Sequence, residues 1–542
     1  MACARPWLSG VALVGCAAAP VAPPAQEPRL PSAVAEPQLP YSAAVAARFA
    51  APRVSYDTPG LRDGREQFTA NEELEAWHDE LLRQGARNGT RIERIALGRS
   101  QRDAPLQALR FTRGEGRPAV LLIGQQHGDE PAGAEALMVV AQQLARERLG
   151  HVLDRIDVLL LVRANPDGAA WNTRVAADGH DINRDHLLLR TPEAQAQAQL
   201  TRRFNPVVVV DLHEHTVVGR YLEKFNAVQR NDLLLQYATT ANYPAALSEA
   251  SERWFMQPLQ QALAREGLTH EWYYTNPTTP GDLRLNMGGM QPDTGRNVHG
   301  LKQAVSLLLE SRGVGIGRLH LQRRVHSHVV AVGSVLQSAA ANANALVDQQ
   351  RRLGTELSAQ ACRGEVAVLA GATTMQRDVV MLDPQTGADK PVSVQWASSL
   401  HPRVLRARAR PCGYWIATDQ TDAVNKLREL GVRVWRLTAD APLQAEAWRE
   451  RSRSESARPD VRGKVADAAP TMIAVQVELA PLQWLPAPAG SWYVPLDQPL
   501  AHLVVAALEP DTPNSYFANR IVPTLEAVLR VRAPPTGALA RP

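Results

Sequence analysis

The chain has 542 residues, more than a single hydrophobic core commonly spans, so at least two domains are expected. Its 45% apolar and 21% charged residues exclude a disordered or fibrous protein. A formal net charge of +4, with arginines and acids interspersed, argues against a nucleic-acid partner.

The N-terminal stretch "MACARPWLSGVALVGCAAAP" places Arg5 ahead of a short apolar run that ends at Cys16. That run is too short to span a bilayer as a helix and has the flanks of a secretion signal. "LVGC" resembles a bacterial lipobox, which implies that residues 1–16 are a lipoprotein signal and that Cys16 is lipidated. Residues 17–44 are rich in Pro and Ala and suit an extended tether. The expected location is the bacterial cell envelope, with the protein facing the periplasm from a membrane anchor. Cys3 leaves with the signal, so Cys362 and Cys412 remain as a disulfide candidate in an oxidising compartment; the alternative is two unrelated buried thiols.

From residue 45 helices and strands alternate. "ANEELEAWHDELLRQG" has the apolar spacing of a helix, and "TRIERIALGRS" and "PLQALRFTRG" read as paired strands. "PAVLLIGQQ" is a buried strand, followed by a helix that opens at Pro131. "RIDVLLLVRANPDG" is a strand and turn, "PEAQAQAQLTRRFN" a helix, and "PVVVVDLHEHT" a buried strand with its polar residues at the C-terminal end. This pattern predicts an α/β sheet with helices on both faces over residues 45–335, its ligand site lying beyond the C-terminal strand ends. Residues 336–542 read as a smaller accessory domain, one long helix ("SVLQSAAANANALVDQQRRLGTELSAQ") and then short strands such as "EVAVLAGA", "DVVMLD" and "TMIAVQVEL", with "RERSRSESARPDVRG" as a solvated break.

The chemistry gathers at those strand ends. "GQQHGDEPAG" offers His127 and Glu130 as two metal ligands from one loop, and "DLHEH" offers His213 as a third from a neighbouring strand. A hydrolytic zinc wants three such ligands and one open position. His215 competes with His213, because alternation places both on one strand face. "NPDGAAWNTRVAADGHDINRD" supplies Arg174, Asn183 and Arg184, groups suited to carboxylates and oxyanions, and "AVSLLLESRGVG" ends an apolar strand in Glu310. His326 and His328 in "RRVHSHVVA" read as helix-lining residues.

The ordered series HGDE, NPDG…R, DINR, DLH and LLLES resembles the zinc carboxypeptidases of the carboxypeptidase A type, over roughly residues 60–330. The resemblance implies a carboxypeptidase-like mixed sheet flanked by helices. It implies one zinc ion held by His127, Glu130 and His213, with Asp181 orienting the first histidine. Arg174 becomes the arginine that polarises the scissile carbonyl, Asn183 and Arg184 the pair that grips the substrate's free C-terminal carboxylate, and Glu310 the general base. His215 is then a cleft-lining residue and Asp129 a neighbour of the site. Asp293 and Arg296 are the charged candidates for the side-chain pocket, Asp293 favouring basic side chains and Arg296 acidic ones. The family's mobile tyrosine has no clear match, since Tyr273 and Tyr274 lie farther from Glu310 than expected. Trp171 stands about where a second arginine is usual.

The implied function is hydrolysis of the C-terminal amide bond of a peptide substrate. Alternatives on the same fold are a cell-wall stem-peptide amidase or carboxypeptidase and an N-acyl amino acid deacylase. An inactive peptide-binding protein is the remote one.

Overall fold

A computed structural model describes residues 39–542 except 87–88, 147, 459–461, 463–470, 537–538 and 541–542. The expected lipidation site Cys16 and the tether up to residue 38 lie outside the described residues. Among the described residues ten strands precede residue 320: β1 (Arg91–Arg99), β2 (Pro105–Thr112), β3 (Ala119–Gly124), β4 (Asp157–Leu161), β5 (Val208–Thr216), β6 (Leu233–Tyr237), β7 (His270–Trp272), β8 (Tyr274–Thr275), β9 (Leu285–Met287) and β10 (Val305–Val314). Eight of them form one mixed sheet in the order β1-β2-β4-β3-β5-β10-β6-β7. Its centre, β4-β3-β5-β10, is parallel, and antiparallel pairs flank it on both sides.

The central strands are buried on both faces, which is why they read as continuous apolar runs. Alternation sorts their side chains. Val120, Leu122, Val208 and Val210 join the larger core with the helices Ala132–Ala145, Gln257–Arg265 and Leu321–Ala341. Leu121, Ile123, Leu159 and Val209 join the opposite core with Leu200 of the helix Pro192–Phe204. That helix starts where the Thr191 hydroxyl accepts from Ala194 N (3.2 Å) and stops at Asn205 in the left-handed region.

The structure departs from the sequence reading in four places. The long helix is two, Leu321–Ala341 and Ala343–Ala359, meeting at 75°. At the break Asn342 turns its side chain onto the Ser338 carbonyl (2.8 Å), the local competition for backbone groups that Asn brings to a helix. The expected boundary at residue 335 lies inside the first of these helices. "EVAVLAGA" and "DVVMLD" belong to one strand, β11 (Glu365–Leu382), paired with β12 (Asp389–Ala409) in a long hairpin with register shifts. β12 also pairs with β9, so this hairpin extends the small sheet of β8 and β9. The charged break is a strand as well: Trp448–Ala457 pairs with Thr471–Leu479, its side chains exposed after Trp448.

The C-terminal residues are β-rich, as expected, with a seven-stranded sheet from Gln483–Ala487 to Leu539–Ala540. Their core is continuous with the first part: Leu187, Leu188, Ala194 and Leu301 pack in one cluster with Tyr414, Leu427 and Leu503. Gln38–Pro542 is one compact unit. Cys362 and Cys412 are joined as a disulfide. No single helix among the described residues is long and apolar enough to cross a membrane.

A shared core makes a cooperative unit. Leu427→Ala removes a fully buried side chain and is expected to cost about 2–5 kcal/mol in urea unfolding. Release of bound metal should then follow the same shifted transition as the far-UV signal; metal release at an unshifted urea concentration would mean that the two parts unfold independently.

Candidate metal centre

β3 ends at Gly124, and the next seven residues turn across the C-terminal edge of the sheet into the helix Ala132–Ala145. Gln125 holds a φ of 50°, and its side-chain amide donates to the Gly128 carbonyl (2.9 Å), which closes the turn. The loop lies against the segment after β4 so closely that a Cβ on Gly128 would stand 1.9 Å from the Gly168 carbonyl carbon. Glycine is required there by contact.

This turn brings His127 and Glu130 against His213 at the end of β5. Their donor atoms lie within 4.8 Å of one another, and all three side chains are buried. The Glu130 oxygens stand 2.9 Å from His127 Nδ1 and 2.8 Å from His213 Nδ1, and the Glu214 backbone N–H donates to Glu130 Oε2 at 3.1 Å. With the Nδ1 atoms turned inward, each imidazole offers Nε2 to a carboxylate: His127 to Asp181 (3.2 Å) and His213 to Asp211 (2.9 Å). Such outer partners fix the ring orientation of metal-bound histidines.

Electrostatics agree with a cation site. Burial works against the charge of Glu130, yet the two histidines hold its carboxyl well below the usual range. Desolvation opposes the charge of the half-buried Asp181 as well, yet Arg174, Arg184 and His127 hold its carboxyl well below the ordinary range. Burial likewise opposes a charged His213, but Asp211 and Glu130 pull that imidazole well above the usual histidine range. Two nitrogens and one carboxylate oxygen converging in a negative, dry setting fit zinc with an open position.

Arg174, Asn183, Arg184, His215, Arg296 and Glu310 stand with His127 and Glu130 on the wall of a cavity of about 730 Å³. Glu310 is the direct register partner of His213 in the parallel β5–β10 pair, so the two side chains leave the same sheet face side by side. Burial pushes the Glu310 carboxyl up to about 7. Arg174 donates to Asp181 Oδ2 through Nη2 (2.8 Å) and Nε (3.1 Å) and stands 3.1 Å from His127 Nδ1 through Nη1. Asn183 is pinned by the Gly295 N–H (2.9 Å), and Arg184 Nη1 donates to the Asn183 carbonyl (2.6 Å).

The description "Zinc carboxypeptidase" belongs to the family that matches residues 75–291. The chain carries a zinc carboxypeptidase domain. Carboxypeptidase 2 of Trichophyton equinum is 28% identical over 408 residues, 74% of this chain and 74% of that protein. Human carboxypeptidase D is 27% identical over 212 residues, 29% of this chain and 15% of that one. A solved metallo-carboxypeptidase from Burkholderia cenocepacia aligns with 50% of this chain and 69% of its own at a TM-score of 0.39 and 16% identity. The protein is thus a hydrolase acting on peptides, with zinc as its cofactor.

The family match stops short of Glu310, which joins the carboxypeptidase site through strand register. His215 lines the cavity with its Nδ1 3.2 Å from the Thr216 carbonyl. Burial and Arg312 bring its imidazole down to about 3, so it is a neutral wall. Arg296 lines the cavity, whereas Asp293 is fully buried and not among the lining residues. Tyr273 reaches the cavity although its sequence distance argued against it; burial first, then Glu310, raises its phenol. Trp171 lies at the surface under the Arg102 guanidinium, 3.3 Å above its ring.

Sequence reasoning missed three groups. Asp211 shares the strand face of His213 by the period of two, a signal present in "DLH". Glu214 is buried beneath the site and held by Arg324 through two bonds (2.9 and 2.8 Å), a pairing that spans 110 residues and leaves no local signal. Arg462, next to the hairpin Trp448–Ala457/Thr471–Leu479, reaches Asp129 and stands 3.0 Å from Glu130 Oε1.

Asp211→Asn keeps the shape but removes the charge facing His213 Nε2. It is expected to weaken zinc binding by roughly 10- to 100-fold in competition with a chelator. Unchanged affinity would reduce Asp211 to a structural residue.

Proposed function

We propose that the protein is a carboxypeptidase that removes one residue at a time from peptides with a free C-terminus, with Glu310 as general base. The observation that carries this is the register pairing of Glu310 with His213, which puts a carboxyl of raised proton affinity beside the ligand cluster. Zinc held by His127, Glu130 and His213 would act as a Lewis acid that lowers the pKa of a water and polarises a carbonyl.

The chain's own groups do the rest. Glu310 takes a proton from the attacking water at a carboxylate oxygen and returns it to the leaving amine nitrogen, a transfer suited to a group titrating at about 7. Arg174, fixed by Asp181, donates to the scissile carbonyl oxygen as negative charge develops on it. Arg184 receives the terminal carboxylate, with Asn183 beside it, and this decides that the last peptide bond is the one presented. Tyr273 closes the cavity next to Glu310.

The reading extends to location. Export and lipid anchoring at Cys16 are supported by "LVGC" and by the Cys362–Cys412 bridge, which suits an oxidising compartment.

Glu310→Gln should retain zinc and lose kcat by on the order of 10² to 10⁴-fold, the usual worth of a positioned base. Retained turnover would remove Glu310 from the mechanism. Free-carboxyl peptides should be cleaved and their C-terminal amides left intact; equal cleavage of both, followed by mass spectrometry, would discard Arg184 as the carboxylate grip. Cys16→Ala should move the protein from the membrane fraction to the soluble one, and a membrane-bound variant would count against lipidation.

A further inference from the structure

Two charged residues, Asp293 and Arg296, stand between β9 and β10, and their surroundings differ. Asp293 Oδ2 is taken by the Arg458 guanidinium and by Asn514 Nδ2 (2.9 Å), both from the C-terminal part of the chain. Its charge is compensated behind the cavity wall.

Arg296 is the opposite case. It lines the cavity at 5% exposure, and its Nη2 donates to the Gly289 carbonyl at 2.9 Å. Its Nε has no hydrogen-bond partner, and among the described residues no carboxylate forms an ion pair with the guanidinium. Gly288 leaves it room: a Cβ there would stand 2.8 Å from Arg296 Nη1. Burial brings this guanidinium down to about 10, the mark of a cation held without enough counter-charge. A buried charge lacking a partner is expensive, and a matching anion entering the cavity removes that expense.

Building on the carboxypeptidase reading above, we propose that Arg296 pairs with a carboxylate on the side chain of the substrate's C-terminal residue, so that peptides ending in Glu or Asp are the substrate class. Arg184 and Arg296 line one cavity and would hold the α-carboxylate and the side-chain carboxylate of the same residue. The acid that would have favoured a basic side chain is neutralised by Arg458, while Arg462 on the cavity wall is paired with Asp129 and Glu130.

The test uses the full chain loaded with zinc and peptides identical but for the last residue: Glu, Gln, Lys or Leu. Glu is expected to leave with a kcat/KM roughly 10²-fold above Gln, since a polar site rejects the analogue that leaves its buried group unpaired, and Lys is expected to be slowest. Arg296→Gln should bring the Glu/Gln ratio close to one, and Arg296→Lys should restore part of it, which separates lost charge from lost fold. Fastest release of Leu or Lys, or a Glu preference that survives Arg296→Gln, overturns the proposal and leaves the carboxypeptidase reading standing. Release of nothing from any peptide refutes that reading instead. Calorimetric titration of the Glu- and Gln-ended peptides into Glu310→Gln is independent of turnover: tighter binding of the Glu peptide, lost when Arg296→Gln is added, supports the pocket, and equal binding overturns it.

Discussion

Glu130 is 2% exposed, and its two oxygens stand 2.9 and 2.8 Å from two imidazoles that arrive from different strands. A carboxylate in that position is tolerable only if positive charge is supplied and its remaining lone pairs are satisfied. Much of the surrounding structure meets those two needs. The Glu214 N–H satisfies one oxygen, the imidazoles are turned by Asp181 and Asp211, and Arg174 balances Asp181. Below the site Glu214 is a second buried acid: burial pushes its carboxyl up to about 7, and Arg324 of the helix Leu321–Ala341 opposes that rise with a two-pronged pair. The ligand loop, the strand ends and a helix of the opposite face are therefore linked by charge as well as by apolar packing.

The architecture explains why these groups meet. In a parallel sheet every strand ends on the same edge, and loops from different strands converge there. β3 supplies two donors through the turn after it, β5 supplies the third, and β10 lays Glu310 beside His213 by register alone. A slip of one residue between β5 and β10 would send Glu310 to the face occupied by Leu307 and Leu309. Register is held against that slip because Val305–Leu309 is buried on both faces. The placement of Glu310 beside His213 is thus a by-product of core packing in the strands.

Much of this was legible in the sequence. Continuous apolar runs marked the central strands, and polar residues at their C-terminal ends marked the site edge. HGDE, DINR, DLH and LLLES pointed to His127, Glu130, Asp181, Asn183, Arg184, His213 and Glu310, and the structure gathers all of them around one cavity or its rear wall. What stayed hidden depends on pairings between distant segments. Arg324 under Glu214 and Arg458 on Asp293 leave no local pattern. The break at Asn342 turned on one side-chain bond, and β11 was cut in two by Gly371 and Ala372 because small residues at a register shift resemble a turn. The charged stretch after Trp448 was read as a loop because cross-strand partners such as Glu478 for Arg449 lie beyond any local window.

The C-terminal part has a consequence beyond shape. In the stretch Asp293–Arg296 an acid and a base stand three residues apart, so local sequence leaves the sign of the pocket undecided. Arg458 pairs with Asp293 across 165 positions, and Asn514 adds a second bond from 221 positions away. Arg296 receives a backbone carbonyl and no described carboxylate. The accessory part therefore cancels the negative charge and leaves the positive one facing the cavity. The charge balance of this wall is thus set in the contact between the two parts, which share one continuous core.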